Sequence, residues 1–235
     1  MVKVNDSATA LLEFDPREVA AYTYAEASRI LDVPASTIRA WKKGQLYRVD
    51  SGDWRRFEEP IPTDLPSGLS YFDLAEIYVL RSLRQDHRVS LASIREASDM
   101  ARREYGIERL LIHRQFRHDG KELFLDRWDH FASLTPSRQL AFREILNAYL
   151  KRIQYDADGL TLEFSPVVRE LGVDSAPLLR INPRISFGRP VIASSGIRTA
   201  AVVSRLDAGE DPVHVREDFN LSQEEFDQAV LLEAA

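Results

Sequence analysis

The sequence contains no cysteine. That single absence removes disulfides, thiolate metal sites and thiol-based sensing together. Nor is there an apolar run approaching the ~18 residues that a membrane span requires. The opening stretch "MVKVNDSATALLEFDP" lacks an apolar segment followed by a small-residue cleavage site, so no secretory signal is expected. The expected location is the cytoplasm. No internal repeat is visible. What remains is a chain of 235 residues, long enough for two small domains with more than one core. Its formal net charge of -6 argues against an all-over nucleic-acid coat and leaves local patches open.

The distribution of charge says more than its sum. From Ser36 to Phe57, six basic residues (Arg39, Lys42, Lys43, Arg48, Arg55, Arg56) stand against Asp50 and Asp53. From Leu178 to Arg198 there are four arginines (Arg180, Arg184, Arg189, Arg198) and no acid. From Arg205 to Ala235 the balance reverses, with two arginines against nine carboxylates. Two basic strips and one acidic module imply at least two kinds of partner.

"YTYAEASRILDVPASTIRAWKKGQL" reads as two short helices joined by a tight turn. Thr23 and Glu26 have capping-box spacing, so hydroxyl and carboxylate each take a free amide of the first turn. Tyr24, Ala27 and Leu31 give one buried face. Pro34 breaks the helix, and a second begins through Ser36 and Thr37. In that second helix Ile38 and Trp41 are expected inward, with Arg39, Lys42 and Lys43 outward, and Gly44 ends it. A short basic second helix after a turn is the helix-turn-helix pattern. "LYRVDSGDWRRFEEP" then suits a hairpin, whose arginines would meet phosphates beside the groove. Ser70 and Asp73 can cap a helix carrying Leu74, Ile77 and Leu80, and Ser90 another with Leu91, Ile94 and Ala97.

This order, roughly Tyr22 to Ala97, resembles the MerR-type winged helix-turn-helix. The resemblance implies Ser36, Thr37, Arg39, Lys42 and Lys43 on the groove-facing helix, with Arg55 and Arg56 on the wing. The chain departs from that pattern at Pro34, which stands where a hydroxyl cap is usual. It also departs in the proline-rich loop "EEPIPTDLPSG", and in lacking a long heptad helix after Ala97. A homodimer is expected all the same, because one short recognition helix reads too few base pairs for operator specificity.

The middle alternates element types. "LLIHRQFRHDGKELFLD" is expected to be a hairpin turning at Asp119-Gly120. "TPSRQLAFREILNAYLKRI" reads as a helix with Phe142, Ile145, Leu146, Tyr149 and Ile153 on one stripe, and "GLTLEF" as a short strand. His113, His118, Asp119, Asp126, Asp129 and His130 invite a metal or nuclease reading. No spacing among them matches a metal-ligand motif, and Arg114, Arg117 and Arg127 would repel a cation. A polar surface loop is the better reading, with no metal, cofactor or catalytic residue.

The stretch "INPRISFGRPVIASSGIRTAAV" joins an extended, arginine-bearing strip to an acidic helical tail. Strip and tail together resemble a small bacterial domain of unknown function found in antitoxins. With the middle segment included, nearly the whole chain resembles VapB-type antitoxins with a MerR-like head. That resemblance implies an antitoxin that silences a PIN-like ribonuclease and represses its own operon. The residues support such a role. Helices starting near Thr199, Pro212 and Ser222 would form a trihelical unit that phosphates repel. Arg184, Arg189 and Arg198 could meet a carboxylate cluster such as binds Mg²⁺ in a nuclease, unless the chain's own acids pair with them. The other reading is a stand-alone MerR-like regulator whose middle segment binds an organic ligand.

The expected fold is mainly α (α+β). Its expected divisions are an N-terminal arm (1–21), a winged helix-turn-helix (22–105), a mixed α/β linking segment (106–177) and a trihelical domain preceded by short strands (178–235).

Overall fold

The computed structural model describes residues 15–48, 52–57, 59–61, 65–86, 90–114, 147–168 and 171–234. It is mainly helical, with small two-stranded antiparallel sheets. Helix α1 (Tyr24–Leu31) starts at the capping box: Glu26 N–H donates to Thr23 Oγ1 (3.1 Å) and Thr23 N–H to Glu26 Oε2 (2.8 Å). Asp32 turns the chain in a left-handed conformation and Pro34 precedes helix α2 (Ala35–Lys43), which Gly44 closes. Strands β1 (Gln45–Arg48) and β2 (Trp54–Phe57) pair antiparallel, with Arg48 opposite Trp54. A helix-turn-helix with a hairpin after it is what the turn residues specify.

Helix α3 (Tyr71–Arg81) is the centre of the molecule. Every one of its residues is buried, although the sequence pattern points to one apolar face only. A helix buried all round needs partners for its polar side chains. Asp73 receives Lys42, Glu76 receives Arg109, and Arg81 reaches Asp32. Around α3 pack α1, α2, helix α4 (Leu91–Tyr105) and a hairpin of β3 (Ile153–Tyr155) with β4 (Thr161–Phe164). The Tyr78 ring lies 5.2 Å from Tyr149 and 4.9 Å from Phe164. The N-terminal segment is tied to the same core, for Arg17 bonds Asp156 at 2.5 Å and covers the Phe72 ring.

Two middle-segment expectations change. Leu110–Ile112 form a short, tight helical turn, fully buried, and are not the first strand of a hairpin. Three consecutive apolar residues cannot alternate across a half-buried strand, and here all three sides are covered. Ile153 lies in β3, opposite Phe164, because the helix that covers 147–151 stops before it. The turn at Asp119-Gly120, the residues Phe142, Ile145 and Leu146, and the polar residues His118, Asp119, Asp126, Asp129 and His130 lie outside the described residues.

A second core gathers Val168, Leu179, Ile192, Val202, Val215, Leu221, Phe226, Ala229 and Leu232. It belongs to β5 (Leu179–Arg180), β6 (Val191–Ile192) and the helices α5 (Thr199–Asp207), α6 (Pro212–Asp218) and α7 (Gln223–Ala234). The three helices begin where the sequence places them. The strip before them does not run extended. Leu179 pairs with Ile192 and Arg180 with Val191, so the chain between them doubles back as a loop.

Candidate nucleic-acid interface and its attachment to the C-terminal module

Helix α2 presents Ser36, Arg39 and Lys43 to solvent, with Thr37 half-buried. Arg39 lies over the Tyr24 ring at 5.1 Å, a cation–π contact that fixes the guanidinium beside the turn. A surface cleft of about 570 Å³ runs along this face between Ser36, Arg39, Gly44 and the start of α4 at Leu91. On the wing, Arg48 and Arg56 are exposed, and Arg56 contacts Glu59 at 3.3 Å. Arg55 sits in β2 opposite Tyr47, and its side chain lies outside what is described. Trp54 at the wing tip is 68% exposed. Behind the wing, Arg95 and Arg102 of α4 share a second cleft of about 340 Å³ with Arg56. The two arginines are seven apart on one helix face, a spacing that could have been read from the sequence.

Lys42 is a correction. It does not face outward: its side chain is fully buried and its Nζ lies 2.7 Å from Asp73 Oδ1. Burial pushes the Lys42 ammonium below the ordinary lysine range, and the Asp73 carboxylate opposes that fall. Asp73 in turn closes the capping box of α3 with Ser70, and Arg109 stands 3.7 Å away. Lys42 therefore pins the end of the second helix of the helix-turn-helix to the start of the central helix.

Glu76 completes this cluster through Arg109 at 2.7 Å. Burial raises its carboxyl to about 6, against the pull of Arg109 and Lys42. A folded-state value above the unfolded one means that the native state holds the proton longer. Stability from this group is fully present below the unfolded value and lost as pH rises through the folded one. Glu76→Gln removes that loss. The change in melting temperature from about pH 4.5 to about pH 7 should therefore be more positive in the variant than in the wild type.

The C-terminal module is fastened to α1. Tyr22 Oη donates to the Gly188 carbonyl at 2.7 Å. Arg189 pairs with Glu26 at 2.8 Å and lies over the Tyr22 ring. Arg29 of α1 pairs with Glu233 of α7, which also accepts from Thr199 Oγ1 at 2.5 Å. Of the three arginines expected to meet a partner, Arg184 and Arg198 are exposed, whereas Arg189 is engaged within the chain. Its partner is a carboxylate of the helix-turn-helix, not of the acidic tail. That tail shows exposed Glu217, Asp218, Glu224 and Asp227 on α6 and α7. Among the described residues no three His, Asp or Glu side chains gather as a metal site, and no helix is long and apolar enough to cross a membrane.

Fold and site together define a helix-turn-helix protein with a second, acidic helical module. Comparison with known proteins agrees and extends this. Residues 20–98 match the family model described as "Putative DNA-binding HTH domain", and residues 179–231 the one described as "Protein of unknown function (DUF433)". Along nearly its full length the chain is similar to a Mycobacterium tuberculosis protein named "Putative antitoxin VapB45". The two are 29% identical over 93% of this chain and 95% of that one. A second M. tuberculosis relative, "Uncharacterized protein Rv2308", is 23% identical over 97% of this chain and 94% of its own length. Among solved structures, that of Rv2018 from M. tuberculosis superposes with a TM-score of 0.65 at 27% identity. That match covers 92% of this chain and 99% of that one.

Proposed function

We propose that this chain is the antitoxin of a type II toxin–antitoxin pair, a non-enzymatic protein of the cytoplasm with two partners. It binds its operator as a homodimer. Ser36, Thr37, Arg39 and Lys43 of α2 enter the major groove while Arg55 and Arg56 hold phosphates beside it. It represses its own operon and inhibits a PIN-like ribonuclease through the C-terminal module, with Arg184 and Arg198 facing the toxin. The winged helix-turn-helix is the MerR-type head of this arrangement. We place its working boundaries at 22–105, the linking segment at 106–177 and the toxin-binding module at 178–235. The shared core of the first two argues that they move as one unit.

The observation that carries this reading is the separation of charge. Exposed arginine and lysine line α2 and the wing, while exposed carboxylates line α6 and α7 of the C-terminal helical unit. One face suits phosphate and the other is repelled by it. The likeness, over nearly the full length, to a protein named "Putative antitoxin VapB45" supports the pairing of the two functions.

Duplex DNA from the region upstream of its own reading frame provides the test. Affinity should fall steeply with salt, because each neutralised phosphate releases a counterion. Arg39→Ala should relax sequence preference, with a loss of about 1–3 kcal/mol on the preferred site. Lys43→Ala should weaken all duplexes alike and lower the salt slope by about one. Equal affinity of Arg39→Ala for preferred and scrambled duplexes, with the wild type equally indifferent, would remove the operator reading.

A further inference from the structure

Between β5 and β6 the loop 182–190 is held at both ends. Asn182 Nδ2 donates to Glu163 Oε2 (3.0 Å), and the Arg184 N–H donates to Asn182 Oδ1 (2.9 Å). At the far end Tyr22 and Glu26 hold Gly188 and Arg189. Between these anchors Ser186, Phe187 and Gly188 adopt φ values of 48°, 55° and 75°. Three successive left-handed residues form a tight turn, bonded to the rest of the chain on both sides. At its centre stands a phenyl group that is 90% exposed.

This placement needs a reason. A bulky side chain is disfavoured in the left-handed region, where glycine is at ease. A ring so exposed contributes nothing to either core. Glycine at position 187 would fit the backbone better and remove an apolar group from water. Strain held in place by surrounding bonds, at an exposed tip, marks residues kept for something outside the fold.

We propose that Phe187 is the anchor with which this chain enters an apolar pocket of its toxin, with Arg184 of the same loop meeting a carboxylate at the pocket's rim. The inference rests on the antitoxin reading above and assigns its contact residue. An aromatic flanked by arginine is the composition of interface hot spots. A turn already locked in its bound shape loses little entropy on docking. Residues 178–198 carry no acid, so the tip offers cations to a carboxylate-bearing partner. Burial pushes the Asp15 carboxyl up and its bonds to Arg17 bring it below the ordinary range, with Arg184 adding the smallest pull. A second copy of the chain is the poorer occupant. Isologous pairing through Phe187 would bring Arg184 against Arg184, and head-to-tail docking onto the acidic helices would give a ring or an open filament, not the two-fold dimer proposed above.

The experiment uses the full chain, tagged and co-produced with the protein encoded beside its gene, and then titration of the purified components. Phe187→Gly should bind that protein at least about 30-fold more weakly. It should melt at the same temperature or higher, and should bind duplex DNA as the wild type does. Arg184→Ala, which sets no new carboxylate beside Asp15, should weaken the same complex without altering the fold. If Phe187→Gly retains wild-type affinity for the neighbour, the anchor assignment fails while the antitoxin reading stands. If the wild type itself does not bind the neighbour, the antitoxin reading fails and the anchor with it. If light scattering shows Phe187→Gly turning a dimer into a monomer, the pocket belongs to a second copy and the proposal is overturned.

Discussion

Lys42→Ala should destabilise the protein by about 3–5 kcal/mol, one of the largest single-residue effects available in the N-terminal module. The deletion leaves Asp73, whose side chain is fully buried, with Arg109 at 3.7 Å as the remaining cation beside it. Breaking one side of a buried pair strands a charge in low dielectric, and that penalty exceeds what the pair itself contributes. Asp73 is also the third residue of the α3 capping box, so any movement it makes to reach water costs a cap as well. Denaturant unfolding of Lys42→Ala, Asp73→Asn and the double variant measures the coupling. The double variant should recover much of the loss. Lys43→Ala, one residue away and exposed, should change stability by less than about 0.5 kcal/mol while weakening DNA binding. If Lys42→Ala is as stable as the wild type yet binds DNA poorly, Lys42 reads phosphate after all.

The contrast between these neighbours was partly legible in the sequence. Ile38 and Lys42 are four apart, and residues so spaced share a helix face. The inward assignment of Ile38 therefore implied an inward Lys42, and the density of positive charge around it concealed that. Local signals otherwise held well. The capping boxes at Thr23 and Ser70, the Ser90 cap, the Gly44 stop and the three C-terminal helices all arise from spacings of a few residues, and they stand where those spacings put them. The failures share a cause. Tyr22 and Gly188 are 166 positions apart, so no local pattern reports their bond. The same distance hid the capture of Arg189 by Glu26, which alters an otherwise natural experiment. Reversing Arg189 to probe toxin contact would set two carboxylates together at the cap of α1 and disturb the DNA-binding module too. Phe187 was hidden differently. A phenylalanine between glycine and serine reads as core until its backbone conformation is known.

Gly188→Ala should be far more damaging than Gly196→Ala, although the two glycines have almost the same conformation, with φ of 75° and 73°. At Gly196 an added Cβ meets nothing within 4 Å, so the substitution carries only the cost of a left-handed alanine, about 1 kcal/mol. At Gly188 the same Cβ collides with Tyr22 Oη. That oxygen is the tip of a ring that is 2% exposed and packed in the N-terminal core, so it cannot swing aside. The loop must withdraw instead, and its withdrawal breaks the Tyr22–Gly188 bond and draws Arg189 away from Glu26. A buried hydroxyl left without its acceptor costs about 1–3 kcal/mol, additional to the conformational cost that both variants share. Tyr22→Phe removes the bond without the collision and should fall between the two. Melting temperatures of the three variants give the order directly. Equal losses for Gly188→Ala and Gly196→Ala would mean that the loop yields freely, and that the C-terminal module is held to α1 by the Arg29–Glu233 pair and its packing alone.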